Sequence, residues 1–175
     1  MKIQRKLKRL PAPPGDRTLC GRGNQHVWRL NAYARALSTT KGVVPFFDPL
    51  DGGERAKLLL LLESQGPSNA KFRVVSQDNP SPTQQNLKRF LSCASIHRRD
   101  IVIWNTVPWR GQSPDGSVRT LRKADVSSGI LELAHLLPLL EHLHVVLLAG
   151  RVAQQAAPMI LSARPGIILK TELVH

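Results

Sequence analysis

The chain has 175 residues, a length that fits one domain with a hydrophobic core of its own. Its two cysteines, Cys20 and Cys93, have no CxxC partner, which excludes a zinc site or an iron-sulfur cluster built on four thiolates. We expect neither a signal peptide nor a membrane span, because the basic N-terminus reaches no long apolar stretch and the leucine-rich runs are too short. These features favour a cytoplasmic or nucleoid-associated protein in a reducing compartment, with no metal or other cofactor.

The formal net charge of +13 is concentrated near the N-terminus. Residues 1–41 contain ten lysines and arginines against one acid, Asp16, whereas residues 42–175 contain fifteen against eleven. We expect residues 1–23 to form a basic arm with little fixed structure and residues 24–175 to form the folded domain. Such an arm adds salt-dependent affinity for nucleic acid that is independent of base sequence. The alternative is a solvated tail without a specific role.

The first predicted element is a helix over residues 24–38, with Asn24 as its N-cap. Its apolar residues recur at helical spacing: Val27, Leu30, Ala34 and Leu37. Residues 42–56 are dense in Pro, Gly and Asp and predict an ordered loop that leads into the first strand. Within that loop, Phe46 and Phe47 are expected to anchor the core.

A run of five leucines gives the clearest strand signal in the chain. KLLLLLESQGP, residues 57–67, is a continuous apolar run closed by a polar turn, which is typical of a strand buried on both faces of a parallel sheet. Because ligands bind at the carboxyl ends of such strands, Glu63 is a candidate for chemistry. The alternative is a buried helix segment, or a plain strand whose glutamate faces water.

A second helix is predicted to begin after Ser81, which is a good N-cap. Pro82 suits the first helical position, and Gln84 would complete a capping box. One face of this helix is apolar and carries Leu87, Phe90, Leu91 and Ala94. The next strand, Ile101 to Trp104, is predicted to stop at Asn105, which places an amide at a second strand tip. The alternative for Asn105 is that it caps the following loop.

The second half of the chain continues the alternation of strands and helices. Residues 106–126 predict a long loop with Trp109 and several basic residues, and loops of this length are often functional. A helix over residues 127–137 should end or kink at Pro138. The remaining elements are a strand at 144–150, a helix at 151–163 interrupted at Pro158, and a strand at 166–174. The order predicts a parallel sheet covered by helices on both faces.

Three predicted strand tips carry polar side chains that suit one site: Glu63 with Ser64 and Gln65, Asn105, and His175. An acid, an amide and an imidazole at one edge could position a water, read a heteroaromatic edge and stabilise a departing anion. The alternative for a terminal histidine is a solvated chain end. The sequence motifs GxSxG, GxxxxGK[ST] and HExxH do not occur. For His135, His142 and His144, a structural role is favoured over a zinc site.

Several separated motifs resemble the uracil-DNA glycosylase superfamily, in particular its bacterial single-domain members. They are VPFFDPLDGGERAKLLLLLESQGP, VSQDNPSPTQQNLKRFL, IVIWNTVPW and LPLLEHLHVVLLAGRVAQ, in the family's order. The resemblance covers residues 24–175. It implies an α-β-α sandwich with a central four-stranded parallel sheet, which agrees with the pattern of elements.

The resemblance also implies roles for individual residues. The segment from Leu62 to Gly66 occupies the water-activating motif, where related branches have Gly-Glu-Ala-Pro-Gly, so that Glu63 falls on the acidic position and Gln65 replaces the proline. Asn105 falls where the family bonds the uracil edge. Ser64, Gln65 and Gly66 would line the base, and Phe72 is the nearest aromatic for stacking on it, although alignment can place Val74 there instead.

The family's second catalytic motif, His-Pro-Ser-Pro or similar, follows the last strand. Its histidine steadies charge on the leaving uracil, and its loop holds the base out of the duplex. At most His175 represents this motif, so we expect the domain to lack its last loop and helix and to be weakened as an enzyme. Residues expected to contact the DNA backbone are Arg110, Arg119, Arg122 and Lys123.

Three functions, from more than one class, fit these residues. The first is a monomeric DNA-repair hydrolase that flips uracil, or a related deaminated base, out of DNA and cleaves its N-glycosidic bond with water. The second is a DNA-binding relative of the same fold that has lost excision, which Gln65 and the missing motif favour. A basic α/β domain that acts on nucleotides or binds RNA is a third.

Overall fold

The leucine run forms the centre of a four-stranded parallel sheet. A computed structural model describes residues 22–64, 74–111, 117 and 120–172. The strands are β1 Phe46–Phe47, β2 Leu58–Ser64, β3 Val74–Val75, β4 Ile101–Val107, β5 Val145–Ala149 and β6 Ile168–Glu172. The helices are α1 Trp28–Lys41, α2 Pro82–Cys93, α3 Lys123–Leu136, α4 Arg151–Gln154 and α5 Ala157–Ala163. Short 3₁₀ turns occupy Arg22–Val27, Gly53–Arg55, Arg98–Asp100 and Leu137–Leu139.

The main sheet has the strand order β4-β2-β5-β6, and every pair of neighbours is parallel. Because β2 has a neighbour on each side and helices flank the sheet, Leu59, Leu60 and Leu61 are buried. That burial explains why the strand reads as a continuous apolar run rather than an alternating one. The predicted α/β fold with a four-stranded parallel sheet is therefore confirmed.

A second, two-stranded parallel sheet joins β3 to β1, which lies within the segment that was predicted to be a loop. Two-residue strands are too short to leave a periodic signal, which is why the sequence did not reveal them. The Phe47 ring is fully buried and stacks on Trp104, with ring centroids 3.9 Å apart. The Asn31 side-chain oxygen accepts the Phe47 N–H at 2.8 Å. Phe47 is thus the core anchor expected, and Phe46 is half-buried.

The first two helices differ from their predicted form at specific residues. α1 begins at Trp28, and Asn24 lies inside the preceding 3₁₀ turn with φ −111° and ψ 20°, so its assignment as N-cap is wrong. α2 begins after Ser81 as predicted, and the Ser81 hydroxyl oxygen accepts the Gln84 N–H at 3.3 Å. The predicted capping box is wrong, because the Ser81 N–H donates to the Asn79 carbonyl and the buried Gln84 side-chain oxygen has no partner among the described residues. Its apolar face is poorly covered: Phe90 is 56% exposed.

Proline positions mark the later boundaries. α3 ends at Leu136, and the next turn carries Pro138, as predicted. The last helix is interrupted, but the break precedes Pro158, which lies in the first turn of α5. β4 continues to Val107, so the prediction that it stops at Asn105 is wrong. Within the described ranges, no helix has the length and apolar character needed to cross a membrane.

Candidate active site at the carboxyl edge of the sheet

The carboxyl ends of β2, β4 and β5 meet at one edge of the sheet. In the register, Leu62 is paired with Asn105, and Ser64 is paired with the last residue of β4. β5 runs beside β2 and ends one residue before Gly150. The fold therefore brings Glu63, Ser64 and Asn105 together at the edge where parallel sheets bind ligands.

The Glu63 carboxylate is held by the backbone that follows β5. Its Oε1 accepts a hydrogen bond from the Val152 N–H at 2.9 Å, in the only turn of α4. Gly150 has φ +95°, and a Cβ atom on it would lie 2.6 Å from the same Oε1. Glycine is required there by the backbone conformation and by the space that the carboxylate fills. In the described part of the chain, Oε2 makes no hydrogen bond, so it is available to a water.

Asn105 lies two residues before the end of β4 and is 3% exposed. The adjacent Thr106 hydroxyl donates to the Leu62 carbonyl at 2.9 Å, which fixes β4 against β2. α3 approaches so closely that a Cβ atom on Gly129 would lie 2.2 Å from the Thr106 carbonyl oxygen. Among the described residues, none makes a hydrogen bond with the Asn105 amide. An amide at this edge that carries both donors and an acceptor is suited to bond a ligand.

The register also decides which side chains share a face of the sheet. Successive side chains of a strand point to opposite faces, and directly paired residues of parallel neighbours point to the same face. Ser64 therefore lies on the Asn105 face, whereas Glu63 lies on the Thr106 face. A water held by Glu63 would have to sit at the rim of the sheet, between the two faces, to reach a base bonded by Asn105.

Some predicted site residues lie outside the described residues: Gln65, Gly66, Phe72, Arg119 and His175. Their roles remain predictions. Val74, the alternative to Phe72 for stacking, is half-buried in β3 and is paired with Phe46.

Three of the predicted DNA contacts are described and lie near this edge. Arg110 is half-buried and follows β4 by three residues. Arg122 and Lys123 are exposed at the start of α3. The Arg122 N–H donates to the Asp125 carboxylate at 2.8 Å, which caps the helix. α3 contacts the end of β4 through Gly129, so Arg122 and Lys123 begin the helix that packs on that strand.

A separate cluster of charged side chains lies at the opposite, amino edge of the sheet. Arg98, which precedes β4 by three residues, donates from Nε to Asp51 at 2.9 Å and from Nη2 to Asp48 at 2.7 Å. The same guanidinium also contacts Asp78. The cluster ties the loop before β2 to the loop after β3. Sequence reasoning missed it, because its members are far apart in the chain and only the density of Asp in residues 42–56 hinted at it.

Within this cluster, burial raises the pKa of Asp51 from 3.8 to about 7. The carboxylate is 1% exposed, and the neighbouring Asp48 raises its pKa further. Arg98 acts in the opposite direction but does not compensate, since its single charge is shared by three carboxylates. The most perturbed carboxylate among the described residues is thus far from the predicted site and serves the fold.

Comparison with known proteins identifies the family. A model of the uracil DNA glycosylase superfamily matches residues 44–173, which include the whole main sheet and both Glu63 and Asn105. Among curated proteins, none matches the sequence significantly. The match spans well over half of the chain, and the four-stranded parallel sheet flanked by helices is consistent with it. The chain belongs to the uracil DNA glycosylase superfamily.

Proposed function

We propose that this chain hydrolyses the N-glycosidic bond of uracil, or of a related deaminated base, in DNA. The observation that carries the proposal is the position of Asn105, whose amide lies at the ligand-binding edge of a superfamily sheet and makes no hydrogen bond with a described residue. An amide offers one acceptor and a donor pair, which complements the N3–H and O4 of uracil. The target base would be flipped out of the helix to reach it.

The hydrolysis itself requires a positioned water. Glu63 Oε2, or the backbone beside it, orients the water toward C1′ of the flipped nucleotide. The water oxygen bonds to C1′ while the bond from C1′ to N1 breaks, and that electron pair leaves with the base. The proton of the water passes to the carboxylate. No metal is needed, because the uracil anion is a tolerable leaving group once it is hydrogen-bonded.

Single-turnover cleavage of a labelled oligonucleotide with one uracil tests the proposal. Asn105→Ala should lower the excision rate by about 100-fold or more, because a donor to developing charge is lost. Asn86→Ala, an exposed asparagine on α2, is the matched control and should leave the rate unchanged. Glu63 and Ser64 lie on opposite faces of β2, so comparing the excision rates of Glu63→Gln and Ser64→Ala shows which of the two residues positions the water. Full excision by Asn105→Ala would overturn the site assignment.

A second candidate is a DNA-binding relative without excision activity. Its support is the bond from Val152 to Glu63, which gives the carboxylate a purely structural use, together with Gln65 in place of the motif's proline. This candidate predicts that the unchanged chain leaves uracil in place, while binding DNA with an affinity that neither Glu63→Ala nor Asn105→Ala alters. Fluorescence anisotropy with the same oligonucleotide measures that affinity.

A further inference from the structure

Lys41 and Ser128 form a pair of hydrogen-bond donors next to the candidate site. Lys41 is the last residue of α1, and its Nζ donates to the Ser128 hydroxyl oxygen at 2.6 Å. The same Nζ lies 5.1 Å from the centre of the Trp109 ring, which attracts the cation. Both Lys41 and Ser128 are half-buried, so these contacts hold the ammonium in one place.

The pair lies at the carboxyl edge of β4. Trp109 follows the last residue of β4 by two positions, and Ser128 directly precedes Gly129, which abuts the Thr106 carbonyl. Asn105 is the next residue along the strand. The Lys41 ammonium is therefore on the same edge of the sheet as the amide proposed to bond the base, and it contacts the helix that Arg122 and Lys123 begin.

Lys41 and Ser128 together have more hydrogen-bond donors than their contact with each other uses. An ammonium carries three donors, and the contact to Ser128 uses one of them. The Ser128 oxygen accepts this bond, so its own proton is left to donate. Within the described ranges, no carboxylate lies at ion-pair distance from Lys41. Other basic side chains do have carboxylate partners: Arg29, Lys57, Lys88 and Arg98.

We propose that Lys41 and Ser128 bind a phosphate oxygen of the DNA strand that delivers the target base. A fixed cation with an adjacent hydroxyl donor, and with no carboxylate partner among the described residues, is complementary to a phosphodiester oxygen. The inference rests on the proposed function and deepens it, because a phosphate held beside Asn105 would set where the flipped nucleotide leaves the duplex.

The salt dependence of DNA binding tests this contact in the full chain. Lys41→Met keeps an apolar stem on Trp109 and removes the charge. When the logarithm of the binding constant for duplex DNA is plotted against the logarithm of salt concentration, the slope for Lys41→Met should be less steep by about 0.9. This difference corresponds to roughly eightfold weaker binding at about 0.1 M salt. Uracil and thymine oligonucleotides should be affected equally, since a phosphate contact does not read the base. Lys41→Arg should restore most of the slope.

Lys57→Met is the matched control, because Lys57 is exposed at the amino edge and is paired with Asp100. It changes the net charge equally and should leave the slope unaltered. An unchanged slope in Lys41→Met, or an equal loss in Lys57→Met, would overturn the inference. A uracil-cleavage assay run in parallel separates the two proposals. If the chain does not excise uracil but Lys41→Met reduces the salt slope of DNA binding, only the glycosylase proposal is refuted. If the chain excises uracil and Lys41→Met leaves that slope unchanged, only the phosphate contact is refuted.

Discussion

Replacing Gly150 by alanine tests whether the backbone after β5 holds the Glu63 carboxylate. Gly150 has φ +95° and ψ 165°, a region that costs other residues about 1–3 kcal/mol. The new Cβ would also displace Oε1 of Glu63, which lies 2.6 Å from it. The Val152 N–H would then lose an ionised acceptor, a bond worth about 1.5–3 kcal/mol. We take the lower end for this bond, because Glu63 is only half-buried.

Gly166 provides the matched control for the backbone cost. Its φ is +93°, and a Cβ atom there would meet nothing within 4 Å. Gly166→Ala should therefore carry the conformational cost alone. Gly150→Ala should lower the free energy of unfolding by about 1.5 kcal/mol more than Gly166→Ala does, as measured by urea denaturation.

Removing the carboxylate completes the comparison. In a Glu63→Ala background the carboxylate and its bond to Val152 are absent, so the difference in cost between the two alanine variants should shrink by about 1.5 kcal/mol. If Gly150→Ala already costs no more than Gly166→Ala while Glu63 is present, the carboxylate is not held at this position. That result would refute the geometry from which the role of Glu63 is argued.

Two further substitutions test the fold around the site. Asp51→Asn should flatten the pH dependence of stability. Because the folded-state pKa is raised from 3.8 to about 7, the stability linked to Asp51 is present below about pH 4 and is lost as the pH rises to about 7. At about 1.4 kcal/mol per pKa unit, the loss of stability is roughly 4 kcal/mol. Urea unfolding at about pH 4 and at about pH 7 measures this loss. If the stability of Asp51→Asn depends on pH as steeply as that of the unchanged chain, the assignment is contradicted. Gly129→Ala should push α3 off the Thr106 carbonyl and lower the free energy of unfolding by about 1–3 kcal/mol, whereas the exposed Ser127→Ala should change it by less than about 0.5 kcal/mol. Equal stabilities in thermal unfolding would mean that the close approach is not needed.

Local patterns predicted those parts of the fold whose cause is local. The leucine run predicted β2, since a central parallel strand needs apolar side chains on both faces. Ser81 and Pro82 predicted the start of α2, because a cap and a fixed φ act within one turn. Pro138 predicted the end of α3 for the same kind of reason.

Features that depend on partners distant in sequence were not predictable in this way. Asn105 ends the apolar run but not the strand, because β4 keeps pairing with β2 up to Val107. Arg98 joins three carboxylates from two separate loops, and no periodicity records such an approach. Which of Glu63 and Ser64 shares a face with Asn105 follows only from the register, and a one-residue slip would exchange them.

The two proposed functions differ in what the Glu63 carboxylate must do. In a DNA-binding relative, the bond from the Val152 N–H is sufficient, since it ties the end of β2 to the loop after β5. In a glycosylase, the same bond must aim Oε2 at a water, and a displacement of about 1 Å should slow excision by roughly 100-fold. Gly150→Ala displaces this carboxylate without removing it. A variant that still folds and binds DNA but no longer excises uracil would therefore show that the orientation of the carboxylate, and not merely its charge, serves the chemistry.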